Sequence, residues 1–248
     1  MPLSKTRLPD HVADLPRCSR DQAQALLALD QRARERGVRL CPQSDFSLLA
    51  EVLRGEAVSG AWLGPAYDSA HHRLTPDRAH WIAGLDEDDR VVMTAATRVF
   101  DWQETSLREE AQSMRLFGPA GFAASHFAGS AAGTIRGQVS VTGCGWVHPR
   151  FRGPGHTGVK LSQILRRAAA FLAGARQAVD FDCGWVKTHQ VVEKGLAADY
   201  GFDHVEHGAD FVIRDGSRVA NTLVWSDAGD LDRDVESCGR GDLRRPLG

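Results

Sequence analysis

Apolar positions recur along this chain in two rhythms, a helical one and an alternating one, and the switches between them mark its elements. From Ser19 to Arg36, Leu26, Leu27 and Leu29 stand in an arginine-rich polar run, the pattern of an amphipathic helix. Ser19 with Gln22 three residues later supplies a capping box, and Gly37 stops the helix. Ser44 to Leu53 reads as a second helix ended by Gly55, residues 58–63 as a short strand or loop, and Ala66 to Asp77 as a polar connection. Trp81 to Leu85 and Arg90 to Phe100 flank the charged turn Asp86-Glu87-Asp88-Asp89 and predict a β-hairpin. Val139, Val141 and Val147 predict a strand over 138–147, and Leu161, Ile164, Leu165, Ala168, Ala169 and Leu172 a helix after it. Further on, the pattern predicts a strand at Ala178–Val186, a helix at His189–Asp199, and strands at Phe202–Ile213 and Arg218–Trp225 joined by a tight Asp215-Gly216 turn.

The segments without rhythm divide the chain. Residues 1–18 read as an extended arm, 19–225 as one domain, and 226–248, charged and glycine-rich, as a tail. Within the domain, 101–137 is an insertion: Ser106 to Leu116 is helical in pattern, and the Gly-, Ala- and Ser-rich remainder carries Phe122, His126 and Phe127. Connections of that length inside a compact domain are commonly functional, and a lid over an acceptor site is the expected role.

Composition narrows the class. The 248 residues suffice for one large domain with a sizeable core. A formal net charge of -2 and the absence of a long basic run give no reason to expect nucleic acid as a partner. The apolar runs are too short to span a bilayer, and the first residues lack the apolar core of a secretory signal, so a cytoplasmic protein with no membrane partner is expected. The five cysteines are scattered, and no pair has the spacing of a zinc knuckle or redox motif. Ten histidines include no His-x-x-x-His pair on a helix, so no metal site is expected.

The chemistry concentrates in His148 to Leu161, HPRFRGPGHTGVKL, between a strand and a helix. Gly153, Gly155 and Gly158 let the backbone curl, and the unpaired amides of the helix's first turn, backed by its dipole, form a cradle for phosphate or pyrophosphate. The Walker loop is excluded, because Val159 displaces Lys160 and Leu161 follows it. A dinucleotide fingerprint fits Gly153, Gly155 and Gly158, with Asp180 or Asp182 as its acidic residue.

The run Val147-His148-Pro149-Arg150-Phe151-Arg152-Gly153-Pro154-Gly155 resembles the acyl-CoA signature of the GNAT N-acyltransferase superfamily, and Tyr200-Gly201-Phe202 resembles the Gly-Phe closing that family's next helix. The order helix, helix, hairpin, strand, glycine turn, helix is also similar. His156 and Thr157 stand before Gly158, making the loop one residue longer than the family pattern. The resemblance implies an α/β fold of the α+β kind: a mixed, mostly antiparallel central sheet with two splayed parallel strands, flanked by helices. It implies an N-acyltransferase moving an acetyl or other short acyl group from acyl-CoA to an amine of a small molecule, with the protein a monomer or homodimer. A long-chain donor, as in N-acyl amino acid or acyl-homoserine lactone synthases, and a non-catalytic acyl-CoA-binding module are the alternatives. Trp146 and Val147, with Gly145, would pair with the pantetheine arm, and Arg152, Gly153, Gly155, His156, Thr157 and Gly158 would hold the pyrophosphate. Ala197 occupies the family's usual tyrosine position, which leaves Tyr200 and Cys183 as candidate acids and His148, His189 and Asp182 as candidate bases. Arg98, Phe122, His126 and Asp182 are candidate acceptor contacts.

Overall fold

The computed structural model describes residues 3–119 and 121–243. In chain order the helices and strands are α1 (Leu8–Val12), α2 (Arg20–Arg34), β1 (Arg39–Gln43), α3 (Phe46–Gly55), β2 (Ala79–Leu85), β3 (Val91–Trp102), α4 (Leu107–Gln112), β4 (Ala124–Phe127), α5 (Ala131–Thr134), β5 (Gly137–Val147), α6 (Leu161–Arg176), β6 (Phe181–Lys187), α7 (Thr188–Lys194), α8 (Leu196–Tyr200), β7 (His204–Val212), β8 (Arg218–Asp227) and α9 (Ala228–Gly239). The strands form one sheet in the order β1-β2-β3-β5-β6-β8-β7-β4, antiparallel throughout except for the parallel pair β5-β6. The mixed sheet and its single parallel pair agree with the fold expected.

Alternation along β2 sends Trp81, Ala83 and Leu85 into one buried cluster and Ile82 into another, so the sheet has a core on each face. One core is completed by α2, α6 and Leu8 of α1, the other by α3 and by Leu107, Phe117 and Phe127 of the insertion. Ser19 and Gln22 form the anticipated capping box of α2. Among the described residues no helix is long and apolar enough to cross a membrane.

The structure corrects several boundaries. The arm contains α1, whose Leu8 is fully buried and whose neighbour Arg7 donates to the buried Asp30 at 3.2 Å. The 39–43 stretch is an edge strand, the place where a sheet tolerates Pro42. The insertion supplies the opposite edge, β4, paired with β7. The expected tail is not one over its described part: Ser226 and Asp227 continue β8, and α9 follows, begun by a capping box between Asp227 and Asp230. The helix predicted over 189–199 breaks at Gly195, whose φ of +61° ends α7 and starts α8.

His80 on β2 is fully enclosed and bonded through Nε2 to Ala169 O at 3.0 Å, and burial lowers its pKa to about 3. In the unfolded chain it titrates at the ordinary 6.5. Below pH 6.5 the unfolded state therefore binds the extra proton, and stability falls as pH falls toward 3. Denaturant titrations should show a loss of about 2 kcal/mol between pH 6.5 and 5 from this group, absent in His80→Gln; equal slopes for both proteins would refute it.

Candidate functional site

The site begins with an irregularity in β5. Ala96 pairs with Gly143 and Thr94 with Trp146, so Cys144 and Gly145 together stand opposite Ala95, a β-bulge. Cys144 has a φ of +52°, its carbonyl accepts from Thr94 Oγ1 at 2.8 Å, and its sulfur accepts from Gly64 N at 3.3 Å. Bulging turns the strand away from β6. The two pair only from Val139–Phe181 to Val141–Cys183 and then part. At the fork Gly184 lies so close that a Cβ on it would stand 2.6 Å from Thr142 O. Beyond it β6 continues on β8 to Lys187, so Gly143–Val147 and Gly184–Lys187 bound a gap lined by main chain.

Tyr67 supports the bulge from beneath: it is buried, donates from Oη to Val141 O at 2.7 Å, and sets its ring 2.9 Å from where a Cβ of Gly143 would be. Tyr200 reaches the bulge from the other side. Its hydroxyl lies 3.8 Å from the position of a Gly145 Cβ, and Leu165 lies 3.4 Å from that position. Burial, and then the charge of Asp199, push its phenol up to about 12. Gly145 itself is exposed, and a side chain there would meet Leu165 and Tyr200 at contact distance and fill the space beside them. Gly145→Val should therefore weaken binding of acyl-CoA, the ligand that the sequence resemblance implies, more than tenfold by calorimetry with the fold intact; unchanged affinity would show that this gap is not a binding path for it.

At the end of β5 the chain turns through Pro149–Phe151 and Gly155–Thr157 into α6. Gly153, Gly155 and Gly158 have φ of +82°, +56° and +75°, left-handed conformations that explain the three glycines. Arg36, just past α2, organises this turn by donating to Phe151 O at 3.1 Å, to Gly153 O at 2.9 Å and to Val159 O. Its guanidinium lies 2.8 Å from where a Cβ of Gly155 would project. Drawing three carbonyls to one cation ties the turn to the end of α2. The first turn of α6 contains no acidic residue; there Lys160 N donates to Gln163 Oε1 at 2.9 Å and Gln163 N to Lys160 O at 3.0 Å. No Asp or Glu occurs from His148 to Gln163; Lys160 is paired with Asp199 at 2.8 Å, and Arg150 and Arg152 make the rim cationic. Arg152 bridges the mouth of the gap, donating to Val147 O at 2.9 Å and Ser59 O at 2.7 Å. Trp146 is buried with its indole donating to Ser59 Oγ at 2.8 Å.

Other expected site residues sit elsewhere. Asp182 is fully buried, accepting from Ser140, from Thr142 at 2.8 Å and from Arg166 at 2.7 Å, so neither an acceptor contact nor a base role is open to it. Cys183 is fully buried among the core side chains, which keeps its thiol from any substrate and removes it as an acid. His148 accepts from Arg150 N at 3.2 Å and belongs to the turn. His189 is exposed at the start of α7, and His126 is exposed on the edge strand β4, opposite Asp210. Arg98 donates to Ala66 O at 3.1 Å and covers the Phe100 ring, so its charge is spent on its own chain. Phe122 stacks on Phe211 at 4.6 Å and lines a cavity of about 200 Å³ with Trp62, Leu63, Pro65, Asp68 and His71. Sequence reasoning missed Arg36, Ser59, Tyr67 and this cavity.

No family model and no curated protein matches the sequence. Among solved structures the chain is similar to a putative acetyltransferase from Acinetobacter baylyi ADP1, with 12% identity over 60% of this chain and 63% of that one and a TM-score of 0.35, so it spans less than two thirds of that protein. It is similar to aminoglycoside acetyltransferase AAC(6')-Ib in complex with coenzyme A and kanamycin, with 13% identity, 79% and 98% coverage and a TM-score of 0.41. It is also similar to Arabidopsis thaliana NAA60 in complex with a bisubstrate analogue, with 12% identity, 76% and 98% coverage and a TM-score of 0.46. The strand order, the parting of the one parallel pair and the glycine turn leading into α6 agree with the mixed, mostly antiparallel fold that the resemblance of the sequence implies.

Proposed function

We propose that this protein is an acyl-CoA-dependent N-acyltransferase that moves a short acyl group to an amine of a small molecule. The observation that carries the reading is the Tyr200 hydroxyl, 3.8 Å from where a Cβ of Gly145 would be, on the stretch of β5 that has parted from β6. The pyrophosphate takes the outer side of the turn, held by the amides of Gly153, Gly155, His156, Thr157 and Gly158 and by Arg152 once it leaves Val147 O. The pantetheine arm lies along Gly145, Trp146 and Val147, on the side of β5 that β6 has left. That places the thioester near the bulge.

An acceptor amine, in its neutral form, attacks the thioester carbonyl; the new C–N bond forms, the C–S bond breaks, and the amine's proton passes to solvent. Tyr200 donates a hydrogen bond to the departing thiolate. The cavity beside Phe122 receives the acceptor. Its wall, Leu63 to Pro65, is fastened to the bulge through Gly64 N, and its volume of about 200 Å³ suits a small acceptor.

The test is calorimetry with coenzyme A followed by thiol release from acetyl-CoA and a long-chain acyl-CoA with a panel of amines. Binding plus amine-dependent release from acetyl-CoA is the expected result. Binding without release from any amine makes the protein an acyl-CoA-binding module, preference for the long chain makes it a synthase of that kind, and absence of CoA binding overturns the reading.

A further inference from the structure

Two adjacent arginines of α6, Arg166 and Arg167, are buried almost completely. Arg167 Nε donates to both carboxylate oxygens of Asp234 on α9 at 3.0 Å, and its Nη1 donates to Gln163 O at 2.9 Å and Asp199 O at 3.2 Å. Arg166 Nη1 lies 3.6 Å from Asp234 and donates to Gly201 O at 3.1 Å, while its guanidinium covers the Phe202 ring at 4.1 Å. The carbonyls on both sides of Tyr200 are thus held by two cations that both meet Asp234 of α9, Arg167 directly and Arg166 at 3.6 Å beside its nearer partner Asp182. Gly201 fits the same clamp. Its φ is +78°, and the Arg167 guanidinium fills the place a Cβ would need.

We propose that Asp234 is a positioning residue for Tyr200, so that α9 completes the site without touching it; this rests on the reading of Tyr200 as the donor to the leaving thiolate. The five residues of α8 lie between two left-handed glycines, and a helix that short has no stability of its own. Its last turn takes its position from what grips it. A guanidinium bound through Nε to a carboxylate is fixed in plane and direction, so its remaining donors meet Asp199 O at one place only. Without Asp234 the fork swings, and a displacement of about 1 Å at the hydroxyl is enough to cost about 10²-fold in rate.

Only two tyrosines occur in the chain, so the full protein labelled with fluorotyrosine gives two fluorine resonances, assigned with Tyr200→Phe. In Asp234→Asn the Tyr200 signal should shift or broaden and the Tyr67 signal stay in place. Arg167→Lys keeps the pairing with Asp234 but loses the donors that reach Asp199 O, and should do the same if the first variant fails to fold. In the thiol-release assay Asp234→Asn should lower kcat at least tenfold with KM for acyl-CoA within twofold, and change kcat less than twofold when placed on Tyr200→Phe. An unmoved Tyr200 resonance in the folded variants, or an equal fall in kcat on both backgrounds, overturns the proposal. Tyr200→Phe alone leaving kcat unchanged removes instead the catalytic reading on which it rests.

Discussion

Tyr200→Phe should lower kcat about 10²-fold while leaving KM for acyl-CoA within a factor of two. The phenol, at about 12, lies above the roughly 8.5 of an ordinary thiol, so full proton transfer to the leaving sulfur is uphill. In the proposed mechanism its contribution is the hydrogen bond that strengthens as charge develops on sulfur, which puts the expected effect at the low end of the 10²–10⁴ range for acid–base groups. The same high value fixes the pH dependence. A phenol near 10 would lose its proton and its function through pH 10; Tyr200 stays protonated, so with an acceptor already neutral kcat should hold level from about pH 8 to 10.5. A fall in kcat of less than threefold in the phenylalanine variant, or a basic limb centred at 10 that this variant abolishes, would remove Tyr200 from the mechanism.

That assignment also shows what the sequence could and could not yield. The strand, the glycine turn and α6 were legible because glycine and proline spell backbone conformation directly, and the observed φ of Gly153, Gly155 and Gly158 follow from it. Counting back from Gly201 lands on Ala197, which is fully buried. The break at Gly195 separates α8 from α7, and the residue whose hydroxyl meets the bulge is Tyr200, three positions later. Arg36 was unreadable for another reason. It acts on Gly153 from 117 positions away, and nothing in an arginine-rich helix end marks one guanidinium for inward service. The helix α9 was hidden by its own core: its buried face includes Asp230 and Asp234, which look like solvated positions until their partners are known. Asp182 misled in the reverse direction, since a carboxylate on a strand beside the site reads as chemistry when it is an anchor.

The anchor predicts the second large effect. Asp182→Ala should destabilise the protein by about 3–5 kcal/mol, because Arg166 is left buried with only Asp234, at 3.6 Å, to offset its charge. At roughly 2–4 °C per kcal/mol for a chain of this size, the midpoint should fall by roughly 10 °C in a thermal melt. Breaking the pair is worse than lacking it. In Arg166→Met combined with Asp182→Leu the uncompensated charge is gone, so most of that loss should return, less what the orphaned hydroxyl of Ser140 costs. Thiol release should not return with it, since Arg166 also holds Gly201 O behind Tyr200. A single variant within 1 kcal/mol of the parent would mean that the buried pair contributes nothing. A double variant restoring both stability and turnover would mean that Arg166 serves the fold alone.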